Sequence, residues 1–414
     1  MKNELTITTI SRTRVDAVTD ICTISTGEMV ASAVSSAPLS STSSILAAAI
    51  YPGLNFYKIT LTSPPTSSPT ISYSKIGSFP LGGVDGINST KIIPTPSSST
   101  FKSISVCEDG TVAQYNINVN SELAKIECVD ISKIHGGKPV MACEIWDRKL
   151  DSGSITGGKD GKAILKINGK THTLTCEIAT LKPGKYSNER QKELDKQVLV
   201  RGVAKEGGNF YTVACGRRGG SFVGKWNIVN GEIKLISTTC VDDEYPVSQM
   251  TIVPNREGGI SSILTASVEG VLKTWYDTGT GPLIPFEGDA SNPTKTVGIF
   301  SKPNNKVQAH DLPITGICVA HGIDVDAVTV SADHKISRVK IYGPPIIEPK
   351  KGGTWDGWIL WLLFILGAVY FKVVVDTFCK GEGRDFECVK FFVGDVVKGR
   401  ISVGAPFTKL LKSV

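Results

Sequence analysis

SILTASVEGVLKTWY, residues 262–276, carries the pattern that decides the fold. Runs of β-branched, apolar and small residues lie on either side of Glu269-Gly270, where glycine supplies the positive φ that a tight hairpin turn demands. The same strand–turn–strand arrangement returns as SISVCEDGTVAQYNI (103–117), SITGGKDGKAILKI (154–167), YTVACGRRGGSFVGKWNI (211–228) and AVTVSADHKISRVKIY (327–342). Three of those copies place Asp109-Gly110, Asp160-Gly161 and Asp333-His334 at the turn. ILAAAIYPGLNFYKIT (45–60) is a sixth, looser copy.

An apolar strand leads into most of these hairpins: STKIIPT (89–95), KPVMACEIW (138–146), VLVRGVA (198–204), PVSQMTIV (246–253) and LPITGICVA (312–320). The period is roughly 50–65 residues, longer than the roughly 40–45 of a compact WD repeat, so long connections are expected. Small antiparallel sheets repeating at this scale predict an all-β, WD-type β-propeller. A further strand pair in VDAVTDICTISTGEMVASAV (15–34) makes seven blades; without it there are six.

After the repeats comes WDGWILWLLFILGAVYFKVVV, residues 355–375. The part from Trp358 to Val375 gives about 27 Å of helix at about 1.5 Å per residue, close to the roughly 30 Å hydrocarbon core of a bilayer. Lys372 sits near its end, where a long stem reaches the interface, and Trp355, Trp358, Trp361 and Tyr370 lie towards the ends as an aromatic belt does. The expected organisation is a cytosolic propeller over 1–345, a linker over 346–354, one transmembrane helix over 355–375 and a lumenal tail over 376–414. The beginning, MKNELTITTISRTRVD, has no apolar core of a secretory signal, and the basic residues near the span slightly favour a cytosolic N-terminal side.

The formal net charge is +6, and no Lys/Arg run is dense enough to point to nucleic acid. Of ten cysteines, the eight before the span are scattered singly without Cys/His clusters, which fits a reducing compartment and excludes a zinc motif. Cys379 and Cys388 follow the span, and a disulfide across CKGEGRDFEC and two free thiols both stay open.

Gly219–Lys225, GGSFVGK, has the spacing of a phosphate-binding loop, but Trp226 stands where Ser or Thr would hold Mg²⁺ and the stretch lies inside a hairpin. Arg217 and Arg218 beside it read as a basic knob on one rim. His310 at the start of a repeat fits a structural hydrogen-bond network. Asn88-Ser89-Thr90 is a glycosylation sequon by pattern, unused in the expected topology. SSAPLSSTSS (35–44) and TSPPTSSPTISYS (62–74) read as exposed loops, and KPGKYSNERQKELDKQ (182–197) as a polar segment with a short helix. No nucleophile or metalloenzyme motif appears, so an enzyme of bond chemistry is not expected.

The stretch KVQAHDLPITGICVAHGIDVDAVTVSADHKISRVKI (306–341), followed by a short linker and an apolar span, resembles the last blade and anchor of the endoplasmic-reticulum exchange factors for the Sar-family GTPase, which initiate COPII coat assembly. The matching features are Ala309-His310, Ile314 to Val319, and the hairpin from Val328 to Ile341 with Ser331-Ala332-Asp333. The resemblance implies a membrane-anchored guanine-nucleotide exchange factor at the endoplasmic reticulum, with a small Sar-type GTPase and the membrane as partners. It also implies a protruding glycine-rich loop in the first blade, ordered by a potassium ion. Here that region gives Ser35, Ser36, Ala37, Pro38, Leu39, Ser40, Ser41, Thr42, Ser43 and Ser44 as the candidate exchange loop, and none of the ten is glycine. The alternative function is a membrane-tethered propeller scaffold that binds protein partners without exchange.

Overall fold

The computed structural model describes residues 4–341, except 11–17, 26–30, 63–69, 82–85, 98, 120–123, 149–150, 177–197, 217–219, 243, 254–261, 278, 280, 286–287, 290–291, 297–305 and 321–324. The linker, the apolar run 355–375, the tail 376–414, the segment 182–197 and Arg217-Arg218 lie outside the described residues. Among the described residues, no helix is long and apolar enough to cross a membrane.

Six antiparallel sheets form a β-propeller. Blade 1 comprises Ala31–Pro38, Ser43–Ile50, Gly53–Thr62 and Thr70–Pro80. Blade 2 comprises Ile87–Pro94, Thr100–Cys107, Val112–Asn118 and Lys125–Ser132. Blade 3 follows with Val140–Arg148, Asp151–Gly158, Lys162–Ile167 and Lys170–Thr175, and blade 4 with Val198–Glu206, Asn209–Gly216, Ser221–Val229 and Glu232–Asp242. Blade 5 has Val247–Val253, Ser262–Ser267, Val271–Tyr276 and Ile284–Pro285, with Lys306–Gln308 also pairing on the third strand. Blade 6 has Ile314–Ala320, Val325–Ser331 and Ile336–Ile341. We refer to the strands of each blade, in chain order, as a to d.

All six sequence hairpins are the b–c pairs of these blades, and the apolar leading strands are the a strands. The seventh blade is not found among the described residues. Residues 15–34 are divided between two sheets: Val18–Ser25 pairs with Glu4–Ile10 in a separate two-stranded sheet, while Ala31 opens blade 1. Ile24 explains where that small sheet belongs, because its side chain is buried among Leu46, Ala48, Ile50 and Tyr57 of blade 1.

The serine-rich stretch 35–44 also departs from expectation. Ser35 to Pro38 are in strand a and Ser43-Ser44 in strand b of blade 1, leaving only Leu39–Thr42 as the turn. Strand a shows alternating exposure rather than a continuous solvated surface, and its neighbour Ile45–Ile50 is almost wholly buried. Small hydroxyl residues conceal a half-buried strand that the partner's apolar side chains stabilise. Within 62–74, Thr70 to Ser74 likewise belong to strand d.

The core is divided among the interfaces between successive blades. Leu54, Phe56 and Ile76 of blade 1 pack on Phe101, Tyr115 and Ile117 of blade 2. Ile104, Val106 and Val112 face Val140, Cys143 and Ile145 of blade 3. Trp146, Ile155 and Leu165 meet Phe210, Phe222 and Trp226 of blade 4, and Tyr211 and Val213 meet Ile263 and Trp275 of blade 5. Leu264 and Leu272 then pack on Ile314 and Ala327 of blade 6. Strand b is the most buried, as in Ser262–Ser267, whereas strand d of blade 2 alternates between exposed and half-buried positions along Lys125–Ser132.

The a strands run side by side in the order of the blades. Each contains a β-bulge near its start, where one residue has no partner on strand b. The extra residues are Ser32, Asn88, Met141, Arg201, Ser248 and Thr315. Three of them reach the next blade: Ser32 Oγ donates to the Ile87 carbonyl at 2.7 Å, Asn88 Nδ2 to that of Val140 at 2.8 Å, and Ser248 Oγ to that of Ile314 at 2.6 Å. Asn88 Nδ2, the atom a glycan would occupy in the sequon, also donates to Glu108 Oε2 at 2.9 Å.

The b–c turns complete the inter-blade contacts. Gly270 has φ +78°, and a Cβ there would lie 2.0 Å from the His310 carbonyl oxygen on the way to blade 6. Gly231 has φ +82° with nothing within 4 Å of the same position. Left-handed strain costs about 1–2 kcal/mol for a residue with a side chain. Gly231→Ala is therefore expected to destabilise by about that amount, and Gly270→Ala by more than about 3 kcal/mol because backbone must also move. Urea unfolding of the two variants against the parent measures the difference.

Candidate functional site

Within a blade the strands alternate in direction, so the a–b and c–d turns gather at one end and the b–c turns at the other. The Leu39–Thr42 tip belongs to the a–b end. Ser40, Ser41 and Thr42 are exposed there, and Leu39 is half-buried. The turn is tied internally: the Leu39 and Ser40 amides donate to the Ser43 carbonyl at 2.9 and 3.0 Å, and the Leu61 amide donates to the Thr42 carbonyl at 2.7 Å. The Ser40 and Ser43 hydroxyls bond to each other at 2.7 Å, and Ser35 Oγ accepts the Ile92 amide of blade 2 at 3.2 Å.

These donors do not fit the potassium ion that the family resemblance implies. Such an ion needs several oxygens converging to replace its hydration shell. The Thr42 and Ser43 carbonyls and the Ser40 and Ser43 hydroxyls here are instead taken up by hydrogen bonds within blade 1. The ten predicted residues thus form one rigid hairpin, with only four of them at its tip.

The opposite end holds two matching histidine networks. His310 Nδ1 lies 3.1 Å from Asp333 Oδ2 and its Nε2 lies 2.9 Å from Thr329 Oγ1. His135 repeats this in blade 3, with Asp160 Oδ1 at 3.0 Å and Thr156 Oγ1 at 2.9 Å. Both rings are buried, and both ring nitrogens are engaged. The role expected of His310 is therefore structural, tying the connection before strand a to strand b and the b–c turn. His135 was legible by the same signal, since its Asp lies 25 residues onward and that of His310 lies 23.

Lys225 of the GGSFVGK stretch lies in strand c of blade 4 and is 1% exposed. Its Nζ donates to Asp277 Oδ1 at 2.6 Å and to the Gly279 carbonyl at 2.7 Å, while Tyr211 OH donates to Asp277 Oδ2. Among the described residues of the stretch, Ser221 to Lys225 belong to that strand, so there is no strand-to-helix turn to cradle a phosphate. A second ion pair, Lys273 Nζ to Asp242 Oδ2 at 2.5 Å, lies in the cavity of about 500 Å³ between blades 4 and 5. Burial would raise the Asp277 carboxyl, yet Lys225, Tyr211 and the Gly279 amide outweigh it and hold it below the ordinary value. Asp242 follows the same rule through Lys273 and the Tyr245 and Glu244 amides.

The a strands of blades 2 to 5 enclose a polar channel of about 310 Å³. Lys91 pairs with Glu144 across it at 3.7 Å, and Lys205 pairs with Asp151 at 2.5 Å. Cys143, at its wall, is pushed up to about 12 by burial and is an inert thiol rather than a nucleophile.

Among solved structures, the chain is similar to Saccharomyces cerevisiae Sqt1, with TM-score 0.50 and 8% identity over 83% of this chain and 80% of that one. It is also similar to BBS1N, solved in complex with ARL6DN, with TM-score 0.42 and 10% identity over 72% of this chain and 75% of that one. The likeness to Sqt1, together with the six blades, identifies the fold as a WD-type β-propeller. No protein-family model matches the sequence, and neither does any curated protein.

The buried Lys225–Asp277 pair generates a sharp expectation. Asp277→Asn leaves Lys225 without its counter-charge and is expected to destabilise by about 3–5 kcal/mol at neutral pH. The Asp277 carboxyl is lowered from 3.8 by folding, so the stabilisation is present above that pH and is lost as the pH falls through the lower folded value. The gap between parent and variant in urea unfolding should accordingly narrow in that acidic range.

Proposed function

We propose that this chain is a membrane-anchored guanine-nucleotide exchange factor for a Sar-type GTPase at the endoplasmic reticulum. The observation that carries the reading is the order of parts: a WD-type propeller, whose last described blade holds most of the 306–341 stretch that resembles that family, followed in sequence by the apolar run 355–375. A run of about 18 residues suits the thinner bilayer of that organelle.

Exchange of this kind involves no bond chemistry by the propeller. A GTPase exchanges nucleotide when a partner binds its empty form more tightly than its loaded form, so the partner's differential affinity offsets the lost nucleotide contacts. The Leu39–Thr42 tip is the part we assign to that contact. Its internal hydrogen bonds fix its shape before binding, so little ordering cost is incurred on docking. No cation enters the mechanism.

The shortness of that tip favours a second reading, a membrane-tethered scaffold that holds a GTPase or another protein without exchange. Propellers support many unrelated activities, and the tip supplies four residues where the family resemblance implies a protruding loop.

A nucleotide-release assay separates the two. The full chain in proteoliposomes, mixed with a Sar-family GTPase carrying fluorescent GDP, is expected to accelerate release at least about tenfold, about 1.4 kcal/mol of barrier. Ser41→Glu at the exposed tip should remove most of that acceleration without changing thermal stability. GTPase binding without acceleration supports the scaffold, and equal acceleration by the Ser41 variant excludes the tip.

A further inference from the structure

We propose that the central channel binds a carboxylate through Arg201. In five blades the bulge of strand a falls at its second residue, directly after Ala31, Ile87, Val140, Val247 and Ile314. In blade 4 it falls two residues further along, between Val200 and Gly202, which sets Arg201 among the residues lining the channel. The junction to blade 5 is made without Arg201: Cys215 Sγ donates to the Val247 carbonyl at 3.4 Å, and the Val247 amide donates to Ser221 Oγ at 2.8 Å.

Arg201 has therefore left the stitching role. Its Nε is buried and donates to no acceptor among the described residues. The two lysines of the same lining are each held, Lys91 by Glu144 at 3.7 Å and Lys205 by Asp151 at 2.5 Å, the latter also lying 5.1 Å from the Trp146 ring centre. A buried donor without an acceptor costs about 1–3 kcal/mol, so a group that accepts from it gains that much over a solvated contact.

The form of the donor indicates the ligand. A guanidinium fork presents parallel N–H groups that match the two oxygens of a carboxylate. Phosphate has the same capacity, but Glu144 and Glu206 share the lining and repel a dianion more strongly than a monoanion. A space of about 310 Å³ lies at the small end of ligand cavities, enough for a short carboxylic acid or the carboxyl terminus of a peptide.

The test uses the full chain, ¹⁵N-labelled in arginine, and follows the Arg201 Nε–H resonance, identified by its loss in Arg201→Lys. Sodium propionate is the probe, with trialanine and its C-terminal amide as the peptide arm. A saturable shift with a Kd on the order of millimolar is expected for propionate, and isothermal titration calorimetry, which reads binding where that resonance is absent, should give an affinity at least about tenfold weaker in Arg201→Gln. Gln249→Glu leaves Arg201 in place and adds a competing carboxylate to the lining; it should reproduce that loss and so distinguish occupancy from damage to the fold. Trialanine binding more tightly than propionate, with no effect from the amide, would assign the site to a peptide terminus. The proposal is overturned by an unshifted resonance, by equal binding to Arg201→Gln, or by saturable binding of inorganic phosphate with none of propionate.

Discussion

One hydrogen-bond arrangement joins three of the pairs of successive blades. A bulge near the start of an inner strand turns one side chain out of the ladder, and a short polar residue there reaches the first carbonyl of the next inner strand. Ser32, Asn88 and Ser248 do this at 2.6 to 2.8 Å. Ile87, Val140 and Ile314 are buried, so the bond gives a carbonyl shielded from water a donor on the neighbouring blade and fixes the spacing between the two. Everything further out depends on that spacing. The apolar faces of successive sheets meet only when the inner strands stand at the right separation, and the b–c turns then pack closely enough that Gly270 has no room for a side chain.

Most of the architecture was legible because it follows from short-range chemistry. Alternating apolar runs around Asp-Gly and Glu-Gly turns located three of the b–c hairpins, the same strand pattern around other turns located the rest, and the apolar leading strands located most a strands. What escaped was set by tertiary context. Ser35 to Pro38 look like a solvated loop, yet the wall of Ile45, Leu46 and the alanines beside them makes a strand of them. Residues 15–34 look like one strand pair, but they are shared between two sheets, which reduces seven expected blades to six. The bulges leave no signature, since Ser, Asn, Met, Arg and Thr all occupy the extra position.

The candidate sites show the same division. His310 was readable as structural, and Lys225 as something other than a phosphate ligand, because in both cases the flanking residues already excluded the alternative chemistry. The channel was not readable, because no segment is distinctive by itself; four inner strands contribute to its wall. The exchange hairpin was located in sequence by resemblance, and its strand pairing reduces it to a four-residue tip tied by hydrogen bonds within blade 1. Fold and function thus rest on different supports: repeated local patterns for the propeller, and the order of parts for the proposed work at a membrane.

The blade-to-blade bond is most directly examined by urea unfolding of Asn88→Ala, Ser248→Ala and the double variant. Each single change removes a donor to a buried carbonyl, that of Val140 or of Ile314, and should destabilise by about 1–3 kcal/mol. The two junctions share no residues, so the losses should add within about 0.5 kcal/mol. A double variant within about 0.5 kcal/mol of the parent would contradict the role given to these bonds.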